Sequence, residues 1–454
     1  MISQHLRNLS LTHTGIDASD PRATNESVIK PRALISILVG VILTAGTYGC
    51  GGAKPRQSLD ACALALAPHS GDDAIDREIV RLQETARVSP DQSRVLEQLG
   101  WAYVQKSRIS YDQGFYKLAE QCALCIESQR PDSPDALLLR GHVLFSLHRF
   151  KEAEAIARRL SETRSAPFDH GLLGDALMEQ GRLNDAVHAY QRMVDLKPGP
   201  QAYTRIAHIR WLKGDLEGAL EMMRKAAAAM SPRDAESSAW AYTRLALYEL
   251  QAGSAKNAEL ACQAALHLQN DYAPALITRS RILLAQSRNN EAAQLMSKAA
   301  QINPLPEYKW LLAESLRAAG RNDEARVVEE ELTQRGSSED PRTLSLFLAT
   351  RREKLDAAVA LVEQEMKARA DVFTFDALAW ALAAQGKLNE AHEQMNRALA
   401  EGTQDARLFY HAGSILAKNG RPQEARVMLN KAAAIKQMLL PSEREGLSNI
   451  LAGL

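Results

Sequence analysis

Apolar residues recur along most of this chain at the three- and four-residue spacing of amphipathic helices. In the fragment Gly174 to Pro198, GDALMEQGRLNDAVHAYQRMVDLKP, two such apolar faces are separated by Gly181, which indicates two helices joined by a tight turn. Alanine and leucine are abundant, whereas aromatic and β-branched residues are scarce, and this composition favours helix over strand. The pattern therefore predicts an all-α protein.

The helical pair is repeated along the chain, and an alanine near the start of each second helix marks the period. Successive alanines are separated by 33 or 34 residues, except for one interval of 39, and they are Ala119, Ala153, Ala186, Ala219, Ala258, Ala292, Ala325, Ala358, Ala391 and Ala425. A larger side chain at this position would push the two helices of a pair apart. We therefore expect these alanines to lie where paired helices approach each other closely.

Two further positions keep the same period. Small residues precede the alanines by twelve positions at Gly141, Gly174, Ala207, Ala246, Ala313, Ala379 and Gly413. Glycines precede them by five positions at Gly114, Gly181, Gly214, Gly253, Gly320, Gly386 and Gly420. We expect these glycines to adopt the left-handed backbone conformation in the turn between the helices.

This combination of small residue, glycine, alanine and closing proline, as in Gly174, Gly181, Ala186 and Pro198, resembles the tetratricopeptide repeat (TPR). The resemblance covers about residues 93–437. It implies a right-handed superhelical solenoid of about ten helix-turn-helix repeats, in which neighbouring units share one core. It also implies a concave groove, lined by the first helix of each repeat, that holds a peptide or a partner helix.

The pattern divides the chain into five regions. They are a leader with a signal or anchor segment (1–49), a tether (50–72), an N-terminal capping helix (73–92), the TPR solenoid (93–440) and a C-terminal capping helix (441–454). The period is interrupted at three places. The first repeat has about seven extra residues, the connection around Met230 to Ser237 is enlarged, and the eighth repeat has Leu346 at its small position.

The apolar run ALISILVGVILTAG at residues 33–46, preceded by Lys30 and Arg32, has the length of a signal-peptide core. It ends in Gly49 and Cys50, which resemble the lipobox of bacterial lipoproteins, although the preceding Tyr48 is bulkier than that pattern prefers. The resemblance implies lipidation at Cys50 and a membrane-tethered protein of the bacterial cell envelope, on the periplasmic side or the outer surface. The alternative is an uncleaved N-terminal anchor.

The repeat register places a set of aromatic, histidine and arginine side chains on the predicted groove, where such residues often anchor partners. The candidate binding residues are Trp101, His142, His208, Trp211, Arg244, Arg281, Arg317, Trp380, Tyr410 and His411. Arg244, Arg281 and Arg317 could form a positive strip for a carboxylate. The Lys and Asn residues of the family's chaperone-tail clamp are absent, so that specificity is not implied.

Charge and motif content limit the other functions. Lys plus Arg and Asp plus Glu number 55 each, so no global field attracts nucleic acid. The five cysteines are too few and irregular for a disulfide framework, and Cys122 and Cys125 are expected to be packing residues of one helix. No phosphate-binding loop, zinc-protease or serine-hydrolase motif occurs, so we expect no cofactor, no metal and no enzymatic activity.

These observations predict a non-catalytic scaffold that binds peptide segments of envelope partners in its concave groove. Two alternatives stay open at this point, a membrane-anchored regulatory module and an assembly factor for pili, secretion or polysaccharide export. A more remote alternative is an envelope enzyme whose site carries no recognised motif.

Overall fold

The structure is a computed structural model that describes residues 60–231 and 233–454. The predicted leader, signal or anchor segment, the lipidation site at Cys50 and the first part of the tether lie outside these residues. The described part of the chain, within the compact unit Ser58–Leu454, is helical throughout and contains 23 α-helices. The prediction of an all-α solenoid of paired helices is confirmed.

Three helices lie outside the repeats. Two precede them, α1 (Ala61–Ala65) and α2 (Ala74–Val88), and α23 (Pro441–Gly453) follows them after a 3₁₀ turn (Lys436–Met438). The ten repeats between them are α3/α4 (Ser93–Ser110, Gly114–Gln129), α5/α6 (Pro134–Ser146, Phe150–Thr163), α7/α8 (Pro167–Glu179, Leu183–Leu196), α9/α10 (Pro200–Leu212, Leu216–Ala229), α11/α12 (Ala235–Gln251, Ala255–Leu268), α13/α14 (Ala273–Ala285, Asn289–Ile302), α15/α16 (Pro306–Ala318, Asn322–Glu339), α17/α18 (Pro341–Arg351, Leu355–Glu365), α19/α20 (Val372–Ala384, Leu388–Leu399) and α21/α22 (Ala406–Lys418, Pro422–Ala434).

The close approach predicted for the period-marking alanines is present in every repeat. All ten alanines, from Ala119 to Ala425, have no exposed surface. The small partner on the first helix is equally constrained, because a Cβ added at Gly174 would overlap the ring of Tyr190. Sequence period and helix packing therefore have the same cause, which is the contact between paired helices.

The turn glycines follow the prediction with one exception. Gly181, Gly214, Gly253, Gly320, Gly386 and Gly420 have φ between 71° and 85°. Gly114 is the exception, because it is the first residue of α4 and does not have a positive φ. The extra residues of the first repeat lengthen α3, which has 18 residues. His148 and Ser287 take the same left-handed turn in repeats without glycine, with φ of 59° and 60°.

A disulfide bond joins Cys62 of α1 to Cys125 of α4, across 63 residues of sequence. The prediction that Cys125 only packs within its helix is wrong for this residue, while Cys122 is buried with a free thiol. Pattern analysis missed the bond because the partner lies in a segment expected to be a tether. From Ala61 onward that segment instead forms a helix attached to the first repeat.

The solenoid is wound tightly enough that repeats about five units apart touch along a line that we call the seam. On one side lie the C-terminal ends of α7, α9, α11 and α13. On the other side lie the later segments 369–371, 401–404 and 436–444. From Glu179 to Lys213 and on to Gln251, each step of one repeat along the first side is matched by about one repeat along the second. The last contact, from Arg444 to Leu284, is made by the segment after the final repeat.

Hydrogen bonds along the seam end on carbonyl groups in the last turns of first helices, where no N–H of the same helix follows to pair with them. The Thr403 hydroxyl donates to the carbonyl of Leu212 at the end of α9. The Gln437 amide donates to the carbonyls of Leu250 and Gln251 at 3.1 and 3.0 Å. Similarly, Arg444 Nη1 donates to the carbonyl of Leu284 at 2.9 Å. Later parts of the chain thus cap the first helices of earlier repeats.

Ion pairs reinforce the same line. Lys213 Nζ lies 2.8 Å from Glu401 Oε2, and Arg369 Nε lies 2.8 Å from Glu179 Oε2. The concave surface of the solenoid is consequently not an open groove along its whole length. Between the seam contacts it is divided into cavities.

Candidate functional site

The first helices of the central repeats surround a cavity of about 460 Å³, which we call the inner cavity. Its wall is built mainly by α11, α13 and α15, and it is completed by α9, α17, α19, α21 and the segment after α22. Each of these helices is the first helix of its repeat, so the wall is built from one layer of the solenoid. The aromatic side chains in the wall are Trp211, Trp240, Tyr248, Tyr308, Trp310 and Phe373.

Most arginines in this wall are held in ion pairs. Three of its four arginines each lie within 3.1 Å of a carboxylate oxygen, in the pairs Arg281–Glu307, Arg342–Asp371 and Arg407–Glu443. Among the wall carboxylates, Asp376 lies 2.8 Å from His411, and Asp340 and Asp405 cap the N-termini of α17 and α21. Asp340 and Asp405 therefore fix helix ends but, within the described residues, have no arginine or lysine nitrogen within 4.0 Å.

Among the arginines of the wall, Arg244 of α11 is the one that is not in an ion pair with a described residue. Its Nη2 lies 3.1 Å from His208 Nδ1 and donates to the Tyr248 hydroxyl at 3.3 Å, and its guanidinium carbon lies 5.3 Å from the centre of the Tyr248 ring. Within residues 60–231 and 233–454, no carboxylate oxygen lies within 4.0 Å of its nitrogens. Burial, assisted by the Arg244 charge, lowers the pKa of His208 to about 3, so His208 is a neutral acceptor at ordinary pH.

Trp211 is fixed in the wall by three contacts. Its ring stacks between His208 and Phe373, with centroid distances of 5.7 and 5.9 Å. Its Nε1 donates to Gln251 Oε1 at 2.8 Å. The ring is therefore held in place before any ligand arrives.

A second cavity, of about 410 Å³, shares Arg342 and Phe373 with the inner cavity and lies against the seam. Its wall contains Glu179 and Arg369, whose ion pair is described above. Burial raises the pKa of Glu179, and the Arg369 charge opposes that rise. The Glu179–Arg369 ion pair is therefore one of the contacts that hold the seam together.

Trp101 and His142 lie apart from the inner cavity, near the first two repeats. They are half-buried and face each other at 5.3 Å. Burial and nearby arginines lower the pKa of His142 to about 4. The pair is a separate aromatic contact between adjacent first helices.

Three other candidate residues, Trp380, Tyr410 and His411, pack against one another instead of lining the inner cavity. Tyr410 and His411 are 8% and 1% exposed, because His411 bonds Asp376 and stacks on Trp380 at 3.9 Å. Trp380 is half-buried, and its Nε1 donates to Thr350 Oγ1 at 3.0 Å. The expectation of exposure is wrong for Tyr410 and His411, whose polar groups complete a packed core.

Arg317 does not belong to a strip with Arg244 and Arg281. It bonds both carboxylate oxygens of Glu329 on α16, at 2.9 and 2.6 Å, within its own repeat. Of the predicted strip, Arg244 and Arg281 line the inner cavity, and Arg281 is already paired.

The sequence interpretation missed Trp240, Trp310 and Phe373. All three lie on first helices, within two turns before the small residue of the repeat, so the same register could have identified Trp240 and Trp310. Phe373 meets Trp211 only through the seam. No pattern within a single repeat signals that contact.

In the residues that the structure covers, no group of three or more His, Cys, Asp or Glu side chains is arranged to hold a metal ion. None of the helices in that part of the chain has the length and apolar character needed to cross a membrane.

The family model of the tetratricopeptide repeat matches residues 172–235, 277–340 and 377–437. Together with ten helix pairs that pack through buried alanines, these matches show that the chain belongs to the tetratricopeptide-repeat proteins. Proteins of this fold are generally non-catalytic scaffolds for protein–protein interaction.

Solved structures that resemble the chain have low identity. Human IFIT1, solved as a dimer with PPP-AAAA, is 13% identical, covers 83% of this chain and 94% of its own, and has a TM-score of 0.45. Yeast Tom70 is 13% identical over 83% of this chain and 92% of its own, with a TM-score of 0.35. PilF of Pseudomonas aeruginosa is 16% identical over 45% and 93%, with a TM-score of 0.38. At these values the likenesses carry no functional assignment. No curated protein matches the sequence.

Proposed function

We propose that this protein is an exported scaffold, tethered to a membrane of the bacterial cell envelope by its N-terminus, that binds segments of envelope proteins at its inner wall. The observation that carries the proposal is the convergence of aromatic and arginine side chains from successive first helices on one cavity. Trp, Tyr and Arg are the residue types most often found to dominate binding energy at protein interfaces.

Several side chains of the wall are already held in one position, and this supports binding. Trp211 is stacked and hydrogen-bonded, and Arg342 and Arg407 are held by ion pairs. Immobilising flexible side chains on binding costs about 0.5–1.5 kcal/mol each, and that cost is reduced where the side chains are already fixed. The inner wall is therefore suited to a partner segment more than the solvated outer helices are.

The disulfide supports the export part of the proposal. Bonds such as Cys62–Cys125 form and persist in oxidising compartments, which include the bacterial periplasm and cell surface. The basic residues and apolar run before Cys50 have the order of an export signal. In the cytoplasm, the two cysteines would stay reduced.

Site-specific photocrosslinking in living cells tests the scaffold function. A benzoyl-phenylalanine replaces Trp240, an aromatic residue of the inner wall, and in a matched control it replaces Val427, which is 55% exposed on α22. We expect one stoichiometric protein adduct from position 240 and none from position 427. The partner, once purified, should bind the wild-type protein directly.

Adducts of equal yield from both positions would contradict binding at the inner wall. An absence of adducts from either position, with the protein present at its normal level, would contradict the scaffold function itself.

Export and tethering are tested separately. We expect thiol trapping in intact cells to find Cys62 and Cys125 oxidised, and a palmitate analogue to label wild-type protein but not a Cys50→Ala variant. Label that survives in the variant would contradict lipidation at Cys50, and membrane-bound wild-type protein without label would indicate an uncleaved anchor instead of a lipid. Reduced thiols at residues 62 and 125 would contradict export.

A further inference from the structure

Residues 436–454, which we call the strap, lie against more of the molecule than the last repeat. A segment that only covered the apolar edge of that repeat would contact α21 and α22. The strap also reaches earlier repeats. Gln437 donates to two carbonyls at the end of α11, and Arg444 donates to a carbonyl in the last turn of α13. The strap therefore crosses the layer of first helices that forms the inner wall.

The strap also forms part of the inner cavity. Met438 and Leu440 line that cavity together with the first helices, and Leu440 is buried. One side of the cavity is consequently built by a segment that belongs to no repeat. If the strap left, the cavity would open towards the ends of α11 and α13.

Two charges on first helices are matched by the strap. Arg407 Nε of α21 lies 2.6 Å from Glu443 Oε1, and the Glu443 side chain is buried. The Glu314 carboxylate of α15 accepts from the backbone N–H and the hydroxyl of Ser442, at 3.0 and 2.8 Å, in the first turn of α23. A carboxylate is stabilised at the N-terminus of a helix. The strap thus supplies the compensation that a partner segment on this face would otherwise have to supply.

The contacts of the strap are replaceable. Only Glu443 and Leu447 are buried in the 13 residues of α23, whereas α21, on which it packs, buries ten of its 13. Water or another protein group can take over hydrogen bonds of the kind that Gln437, Ser442 and Arg444 make. None of the ten period-marking alanines lies in the strap, so the pairing of helices within repeats does not require it.

We propose that the strap is an autoinhibitory segment, which occupies the inner face between α11 and α21 and is displaced when a partner segment binds there. An internal competitor lowers the apparent affinity for the partner by the fraction of molecules in which the strap is released. This inference deepens the proposed function, on which it rests, by adding the regulation of the same surface.

Binding of a strap peptide in trans tests whether the strap can leave the inner face. The release variant is the full-length chain with Gln437→Ala, Glu443→Gln and Arg444→Gln. The second change leaves Arg407 without its partner when the strap is bound, which opposes that state. A fluorescein-labelled peptide of residues 436–454 should bind the release variant at least about tenfold more tightly than the wild type, whose own strap competes at high effective concentration. Fluorescence anisotropy measures both affinities.

The control variant carries three substitutions on the exposed side of α23, Glu445→Gln, Ser448→Ala and Asn449→Ala. It should bind the peptide as weakly as the wild type does. A peptide with the three changes of the release variant should not bind the release variant. Equal peptide binding by wild type, control and release variant would overturn the proposal.

Photocrosslinking in cells tests competition with the partner. With benzoyl-phenylalanine at position 240, the yield of the partner adduct should rise several-fold in the release variant and stay unchanged in the control variant. An adduct yield in the release variant that is equal to or below that of the wild type would overturn autoinhibition.

Hydrogen exchange of the wild-type protein gives a test that does not depend on the folding of a variant. Because the strap opens on its own, the amides of α23 should exchange faster than those of α11, α13 and α21 beneath it. Exchange of α23 as slow as that of α21 would contradict a displaceable strap. Circular dichroism checks that the release variant keeps the helical content of the wild type.

The two proposals fail in different ways. An adduct at position 240 without peptide binding to the release variant would leave the scaffold function and remove the autoinhibitory strap. Peptide binding to the release variant, with no adduct at position 240 in any background, would contradict the scaffold function and with it the regulatory role of the strap.

Discussion

The two ends of the solenoid are both closed against their neighbours, but by different chemistry. At the N-terminal end, a covalent bond between Cys62 and Cys125 attaches α1 to the first repeat. At the C-terminal end, Gln437 and Arg444 donate hydrogen bonds to the carbonyls of helices that lie about five repeats earlier. One end depends on the redox state of its surroundings, and the other depends on the geometry of the repeats between the contacts.

The two closures differ in what they require from the rest of the chain. A disulfide constrains the unfolded chain, so its contribution does not require the remaining repeats to be well placed. The seam hydrogen bonds form only when the winding of the solenoid brings the two sides together. The two closures have no residue in common, so we expect the ends to respond independently when one closure is removed.

The largest expected effect comes from removing the disulfide in a Cys62→Ala, Cys125→Ala double variant. Closing a loop of 63 residues contributes about 4 kcal/mol in the chain-entropy description. We expect α1 and the first repeat to lose most of their hydrogen-exchange protection, while the segment 436–444 keeps its protection. Mass spectrometry of hydrogen exchange measures both ends in one experiment.

The control for this variant is Cys262→Ala, which removes a buried free thiol. It should leave exchange in the first repeat unchanged. Loss of protection at both ends of the double variant would show that the ends are coupled, contrary to the comparison above.

An intermediate effect is expected at Gly214, a turn glycine that faces the seam. Gly214→Ala and Gly253→Ala impose the same left-handed φ on an alanine, which costs about 1–2 kcal/mol. A Cβ at Gly253 would have nothing within 4 Å, whereas one at Gly214 would overlap the carbonyl oxygen of Gly402. We expect Gly214→Ala to cost about 1–3 kcal/mol more and to increase exchange in residues 400–405.

Urea unfolding followed by circular dichroism, together with hydrogen exchange, compares the two glycine variants directly. Equal urea midpoints and equal exchange in the two variants would show that displacing the seam at Gly402 has no free-energy cost. The C-terminal end would then not depend on the placement of the repeats, contrary to the comparison above.

The smallest expected effect is the response of the N-terminal end to acid. Asp76 in α2 bonds Lys106 and His69, each at 2.7 Å, and these bonds lower its pKa to about 2, against the opposing effect of burial. A carboxyl group with a lowered pKa stabilises the folded state above its unfolded pKa of about 4. That stability is lost as the pH falls from about 4 towards 2.

We therefore expect faster hydrogen exchange in α2 as the pH is lowered through this window, relative to the intrinsic exchange rate. An Asp76→Asn variant should lack that response and should already be less protected at pH 5. An identical pH profile in wild type and variant would assign the acid sensitivity to other groups.

The sequence predicted those parts of the fold that depend on contacts within one repeat. Ala186 and its counterparts are buried because the two helices of a repeat meet there. The same contact recurs once in every repeat, so the sequence shows it as a period. The same register placed Trp211, Arg244 and Arg281 on first helices that do line a cavity.

What the sequence did not predict depends on contacts between distant repeats. Thr403 and Gln437 cap helices nearly two hundred residues earlier, and neither position differs visibly from ordinary loop residues. His411 has the register of a groove residue but is buried by Asp376 and Trp380 from the preceding repeat. Such pairings require the superhelical winding, which the period alone does not specify.

The seam also constrains how this gene can change. An open solenoid can gain or lose a repeat by duplication or deletion, because each unit contacts only its neighbours. Here, an added repeat between α11 and α21 would move Thr403 and Gln437 away from the carbonyls of Leu212 and Leu250. Copy number in this stretch is consequently fixed by geometry, and length variants should be tolerated only outside the span that the seam encloses.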